Sequence, residues 1–262
     1  MSDVLLALNV DHIATIRNLR GTKYPDPVHA AFIAEKSGKI DGITVHLRED
    51  RRHITDRDIK LLRETIQTTM NLEIAVVDEM INIAYQIKPD FCCLVPEKRQ
   101  ELTTEGGLNL INQVNRLKDV VSKLQDVGIR VSLFIDPDEK QIDAACLIGA
   151  ACVELHTGLY ANALNNNNIR IIDTEYKRIA NSIKYADNCG LIVNAGHGLN
   201  YSNVQAISKF IEIQELNIGH SIISRAIFDG LLQAILDMKT LLIESRRIRS
   251  DSWNRNGYNR NR

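Results

Sequence analysis

A chain of 262 residues, 44% of them hydrophobic, can bury one large core, as a single α/β barrel or as two small domains. Its formal net charge of −1 sets up no field that would draw the body to nucleic acid or a membrane surface, and no apolar run approaches the ~18 residues of a membrane span. The start lacks a basic stretch and its apolar run Val4 to Leu8 stops at Asn9, so no secretory signal is expected. The five cysteines include adjacent Cys92 and Cys93 in an apolar run but no C-x-x-C pair, which fits reduced core residues of a cytoplasmic protein.

Taken in order, β-rich runs fall at Val4–Val10, Gly42–Leu47, Asn71–Val76, Phe91–Val95, Arg130–Ile135, Ala151–His156, Gly190–Asn194 and Glu215–Ile218. Each is followed by apolar residues at helical spacing. Val28, Ala31 and Phe32 mark the first helix; Ile59, Leu62 and Ile66 the second; Ile81, Ala84 and Ile87 the third. Leu108 to Leu124 carries a longer fourth, Ile142 to Ile148 a fifth and Tyr176 to Ile183 a sixth. Val204, Ile207 and Ile211 give a short seventh, and Ile223, Ile227, Ala234 and Met238 run along the last. Strict strand–helix alternation, eight units in all, predicts a TIM (β/α)8 barrel, with an open doubly wound sheet as the competitor. The run Asn165–Asn168 reads as a surface insertion before the sixth helix. From Arg246 the composition turns Arg-, Asn- and Ser-rich. The expected division is therefore a barrel over residues 1–245 and a disordered basic tail over 246–262.

The strand ends carry the chemistry. In the second strand Thr44, His46 and Arg48 share one face, and His53 follows within one loop, before a helix that Thr55 can cap. The first strand ends Asn9-Val10-Asp11-His12. The third places Glu73 inside an apolar run, and the sixth puts Glu154 and His156 on one face. Burying several ionisable groups costs several kcal/mol each unless they are paired, comparable to a domain's net stability, so a barrel mouth that keeps so many is expected to use them. Gly196-His197-Gly198 and Gly219-His220-Ser221 close the seventh and eighth strands, where barrels bind phosphate just before a helix N-terminus. Arg20, Arg48 and His53 offer a second anion site. The long polar loop from Val95 to Gly107 has the composition of a lid or of a plain solvated loop.

Several blocks together resemble the pyridoxine 5′-phosphate synthase family: Asn9-Val-Asp-His12, Arg20-Gly-Thr-Lys-Tyr-Pro-Asp-Pro27, Asp41 to Arg57, Phe91 to Gln100, Thr103-Thr-Glu-Gly-Gly107, Val193 to Gly198 and Glu215 to His220. The resemblance runs from about Leu5 to Ile243. It implies a TIM barrel with extra helices that condenses 1-deoxy-D-xylulose 5-phosphate with 3-amino-2-oxopropyl phosphate to pyridoxine 5′-phosphate, releasing phosphate and water. It implies no metal, no organic cofactor and a homo-octamer built of dimers. Carried over by position, His46 and Glu73 are its proton acceptors, His197 its proton donor, and Glu154 a stabiliser of charged intermediates. Asp11, His12, Arg48, His53 and Thr103 then contact the xylulose phosphate; Asn9, Arg20, Gly198, Gly219 and His220 contact the aminoketone phosphate. Two other readings stay open. One is a metal-dependent TIM barrel acting on a phosphorylated sugar through His12, His46, Glu73, Glu154 and His156. The other is a non-catalytic phosphometabolite-binding barrel whose basic tail contacts RNA or an acidic partner.

Overall fold

The computed structural model describes residues 3–97 and 106–258. Eight parallel strands close into a barrel in sequence order: β1 (Leu5–Asn9), β2 (Gly42–His46), β3 (Thr69–Ala75), β4 (Phe91–Val95), β5 (Arg130–Ile135), β6 (Cys152–His156), β7 (Ile192–Gly196) and β8 (Ile213–Ile218). Leu5 pairs with Glu215 where β8 meets β1, so no edge is left among them. The helices are α1 (Asp11–Arg20), α2 (Pro27–Lys36), α3 (Asp56–Thr65), α4 (Asp78–Ile87), α5 (Val114–Gln125), α6 (Glu139–Ile148), α7 (Gly158–Asn165), α8 (Ile169–Asn188), α9 (Val204–Ser208), α10 (His220–Asp229) and α11 (Leu231–Tyr258). The barrel is the expected one, and the open sheet is set aside.

The core lies outside the barrel. Leu6, Leu8, Ile43, Val45, Leu72, Ile74, Leu94, Val131, Leu133, Val153, Leu155, Val193 and Leu216 are all buried between the strands and the helices. Burying each such side chain contributes roughly 1.5–3 kcal/mol. The residues alternating with them point inward, and on β2, β3, β6 and β8 they include the polar Thr44, Asn71, Glu73, Glu154 and Asn217. Thr44 on β2 donates to Asn217 on β8 at 2.8 Å, and Asn217 donates to Glu154 on β6 at 2.7 Å. Those strands are not neighbours, so the bonds can only cross the barrel's interior. A smaller apolar cluster of Cys93, Val95 and Phe134 fills the β4–β5 side.

Several elements differ from the sequence reading. Residues 11–20 form a helix ahead of the first expected one; their sparse apolar residues bury little beyond Ala14, so helical periodicity is weak there. Helix α7 also escaped, and the asparagine run beside it serves the junction: Asn165 ends α7, Asn167 takes a left-handed φ of 52°, and the Asn168 side chain accepts from the Ile171 N–H as the N-cap of α8. The last helix is two, broken at Gly230, whose φ of 81° a helix cannot hold. Helix α11 then runs through the expected boundary at 245/246. Arg246 is buried and donates to the carbonyls of Ser208 and Ile213 at 2.7 and 2.6 Å, so the packed body includes it. At the opposite end of the barrel from the strand termini, Lys239 of α11 donates to Val4 O and Asp41 Oδ2, joining the last helix to the first two strands.

Candidate active site

The mouth begins where β1 ends. Asn9 and Asp11 clasp each other: Asn9 Nδ2 donates to Asp11 Oδ2 and Asn9 Oδ1 accepts from the Asp11 N–H, both at 2.9 Å. The other oxygen of Asp11 accepts from the His46 N–H at 2.9 Å, tying the end of β1 to the end of β2. Asp11 is also the first residue of α1, where a carboxylate meets the helix's positive end.

His46 stands between two carboxyl groups. Its Nδ1 lies 4.0 Å from Glu73 Oε2 and its Nε2 lies 3.6 Å from Glu97 Oε2. The two carboxyls are driven apart. Burial, then the charges of Glu154 and Asp11, push Glu73 well above the usual carboxylate range. For Glu97 burial pulls upward too, but His46, the Glu49 N–H and Arg48 outweigh it and hold the group low. Two carboxyls pushed in opposite directions beside a single imidazole is the arrangement general acid–base chemistry needs.

Across the barrel, Glu154 is 3% exposed and is pushed up to about 8 by burial and by Glu215, with the Asn217 hydrogen bond opposing. Just beyond it His156 makes two contacts, Nδ1 with Asp136 Oδ1 at 3.1 Å and Nε2 with His197 Nδ1 at 3.0 Å. His197 has a left-handed φ of 76°, uncommon for a residue with a Cβ, and Thr157 Oγ1 holds it there by donating to the carbonyls of Gly196 and His197. Burial, then His156, lowers His197 to about 4. Gly158 passes directly over this pair. A Cβ there would stand 2.4 Å from His156 Nε2 and 2.9 Å from His197 Nδ1.

The anion-binding expectation is met unevenly. Gly219 is the N-cap of α10 and His220 its first residue, and a Cβ at Gly219 would stand 2.8 Å from Asn9 Cβ. The His12 and His220 rings meet edge to face, 4.9 Å between centroids, and burial lowers His12. Gly198 does not run into a helix, as the spacing predicts. Helix α9 starts only at Val204, and an asparagine turn intervenes, with Asn203 Nδ2 donating to Gly198 O. On the opposite rim, Arg48 is buried with its Nε 3.5 Å from Glu97 Oε1, and the His53 ring lies 6.1 Å from that of His46. His53 is lowered chiefly by burial.

Thus Asn9, Asp11, His12, His46, Arg48, His53, Glu73, Glu154, His197, Gly198, Gly219 and His220 all stand on the strands, in the loops that follow them or in the first turn of the next helix. Arg20 does not join them. It is at the exposed end of α1, about 14 Å of helix from Asp11. Thr103 lies outside the described residues, as do residues 98–105 of the lid candidate that runs from Val95 to Gly107. The sequence reading passed over Asp136 and the buried Arg17–Asp58 pair. The one signal Asp136 gives, a carboxylate immediately after a strand, it shares with ordinary loop residues. For a metal, Asp11, His46 and Glu73 each offer an atom within 4.8 Å of the others. Only two of these, His46 and Glu73, belong to the ligand set the metal reading names.

The sequence matches the family described as pyridoxal phosphate biosynthesis protein PdxJ over residues 6–244. It is 66% identical over 247 residues to the pyridoxine 5′-phosphate synthase of Blochmanniella floridana, covering 94% of this chain and 98% of that one. To the enzyme of the same name from Aliivibrio fischeri (strain ATCC 700601 / ES114) it is 60% identical, covering 94% and 100%. Among solved structures, the thiamine phosphate pyrophosphorylase of Pyrococcus furiosus superposes with a TM-score of 0.60 at 12% identity, covering 92% of this chain and 96% of that one. The tryptophan synthase A-subunit from the same organism gives 0.57 at 12%, with the same coverage. At that identity the two structures speak for the barrel fold alone.

Proposed function

The chain belongs to the family of the pyridoxal phosphate biosynthesis protein PdxJ, and from that premise we propose how its mouth closes a pyridine ring. The reaction joins 1-deoxy-D-xylulose 5-phosphate and 3-amino-2-oxopropyl phosphate into pyridoxine 5′-phosphate, with loss of phosphate and water. The observation that carries this reading is the placement of His46 between a carboxyl raised by burial, Glu73, and one held low, Glu97, with Glu154 on the facing β6 and His197 just after β7.

An amine adds to a ketone, water leaves, phosphate is eliminated and an aldol-type closure follows, so protons move several times, each transfer worth ~10²–10⁴ in rate when a positioned group serves it. The aminoketone arrives as an ammonium. Its charge beside Glu73 and Glu154 favours their ionised forms, so Glu73 becomes a proton acceptor when the substrate that needs one is present. His46 takes protons from carbon on the xylulose side, in reach of Arg48 and His53, where the departing phosphate sits. Gly219 and His220 at the start of α10, with Asn9 and Gly198, hold the phosphate that remains in the product. His197 donates to the leaving hydroxyl. The test is direct: purified chain with both substrates should yield the product chromophore and one inorganic phosphate per turnover, undiminished by a chelator. Neither product forming would overturn the reading, and a requirement for stoichiometric metal would favour the Asp11–His46–Glu73 metal site instead.

The reading extends to a cytoplasmic homo-octamer. Among the described residues no helix is long and apolar enough to cross a membrane, and the five cysteines are free thiols. Ile16 and Leu19 on α1, with Ile227 and Phe228 on α10, leave apolar side chains exposed on packed neighbouring helices, which supports self-association there. Sedimentation should give a mass about eight times the 29.5 kDa chain; a monomer would contradict this.

A further inference from the structure

The geometry points to Asp136 and His156 as positioning residues that fix the tautomer of His197 and so determine when it carries a proton on Nε2. This deepens the proposed function and rests on its placing of His197 at the reacting centre.

The chain of contacts runs from the end of β5 to the loop after β7. Asp136 Oδ1 accepts from the Gly107 N–H at 3.1 Å and lies 3.1 Å from His156 Nδ1; His156 Nε2 lies 3.0 Å from His197 Nδ1. The His156 bond, the Gly107 N–H and the charges of His156 and Arg178 hold Asp136 low against burial, so it is a carboxylate, which only accepts. His156 Nδ1 therefore bears hydrogen. In neutral His156 the lone pair is then on Nε2, facing His197, and the hydrogen between the two rings must come from His197 Nδ1. Neutral His197 thus presents a bare Nε2 on its opposite edge. It is a base at rest and an acid only after protonation.

This resolves a tension in the site. Burial makes His197 reluctant to hold a charge, yet the reaction asks it to donate. With the relay behind it, Nε2 takes the proton the substrate amine releases on attack at the ketone, while the alkoxide formed takes the proton that Glu73 first removed from the ammonium and so becomes the carbinolamine hydroxyl. The resulting imidazolium keeps its Nδ1–H on His156, whose own Nδ1–H faces the Asp136 carboxylate. The proton then passes from Nε2 to the hydroxyl of the carbinolamine, which leaves as water, and His197 returns to its starting tautomer. No net proton is consumed at the residue. The contact is built for closeness: Gly158 leaves room over both nitrogens, Thr157 pins the His197 carbonyl, and the Phe134 ring lies 5.2 Å from His156.

Neutron diffraction from deuterium-exchanged crystals of the unaltered protein at neutral pH reads the tautomers without reference to activity. Deuterium is expected on Nδ1 of His156 and Nδ1 of His197; deuterium on Nε2 of a neutral His156, or on Nε2 of a neutral His197, overturns the proposal. In parallel, Asp136→Asn keeps the shape but allows the amide to donate to His156, reversing both tautomers. It should lower kcat about 10–100-fold while KM for each substrate stays within about twofold. A folded variant with kcat within twofold of the parent would also overturn it, since a role in packing alone would alter thermal stability and not this split. Failure of the unaltered chain to form product would sink the proposed function and leave the neutron result standing.

Discussion

Three inward carboxyls, Glu73, Glu154 and Glu215, are all raised, the last to about 7 by burial and Asp41 with Lys239 opposing. Between the ordinary glutamate value and the raised one, the unfolded chain has released a proton that the folded chain still holds. Stability contributed by these groups is therefore fully present below the ordinary value, falls as pH rises through the window, and is flat above it. Glu215 lies away from the mouth, so Glu215→Gln should flatten the fall between pH 5 and 7 by an amount of order 1–3 kcal/mol in urea titrations; a slope identical to the parent's would contradict the assignment. At the rim, Gly219→Ala forces a Cβ against Asn9. With overpacking of roughly 1–3 kcal/mol, KM for the aminoketone phosphate should rise about tenfold with KM for the xylulose phosphate little changed. His46, Glu73 and Glu154 were legible in the sequence because a polar residue on the inward face of an apolar strand is conspicuous. Asp136 and Glu97 were not, because each follows a strand into polar loop sequence, where a carboxylate is unremarkable until its partner is seen.

The strands were easy to read and the short helices were not. A buried parallel strand shows as a run of β-branched and apolar residues, whereas α1 and α7 each bury only a few side chains and show little helical period. What holds α1 in place is a contact 41 residues away in sequence: Arg17 donates to both oxygens of Asp58 at 2.8 and 2.7 Å and to the His53 carbonyl at 3.1 Å. Asp58 in turn accepts from the Thr55 N–H and Oγ1 at the start of α3, so the helix start that Thr55 announces is made by both residues. The Asp58 side chain is fully buried and that of Arg17 is 8% exposed. Arg17→Ala leaves this buried carboxylate with only Thr55 and the exposed Arg57 as partners and should cost about 2–4 kcal/mol in urea unfolding. Because the same arginine braces the loop carrying His53, KM for the xylulose phosphate should rise as well. A loss below about 1 kcal/mol would mean that α1 is held by its apolar contacts instead.

At the scale of the molecule, the barrel inverts the usual filling. Apolar layers sheathe it outside, while Thr44, Asn71, Glu154 and Asn217 form a hydrogen-bonded network across its inside. Strand alternation revealed that inward polarity, but only closure of the barrel turns it into one cavity. Composition also set the end of the body slightly early, since it cannot show that Arg246 finds two carbonyls. Removing residues 248–262 should leave kcat within about twofold and the melting temperature unchanged, whereas Arg246→Ala leaves those carbonyls without their donor and should lower stability by about 1–3 kcal/mol; a truncation that loses activity would assign the tail a role in the site. Glu73 responds to both halves of the mouth, to Asp11 and His46 on one side and Glu154 on the other. Substituting it by glutamine keeps the shape and removes the proton acceptor, which makes kcat of Glu73→Gln, measured with calorimetric binding of each substrate, the sharpest reading of the whole. Turnover should fall at least ~10²-fold with both substrates still bound at near-parental affinity; near-parental turnover would contradict the view that this mouth closes the ring with its own acids and bases.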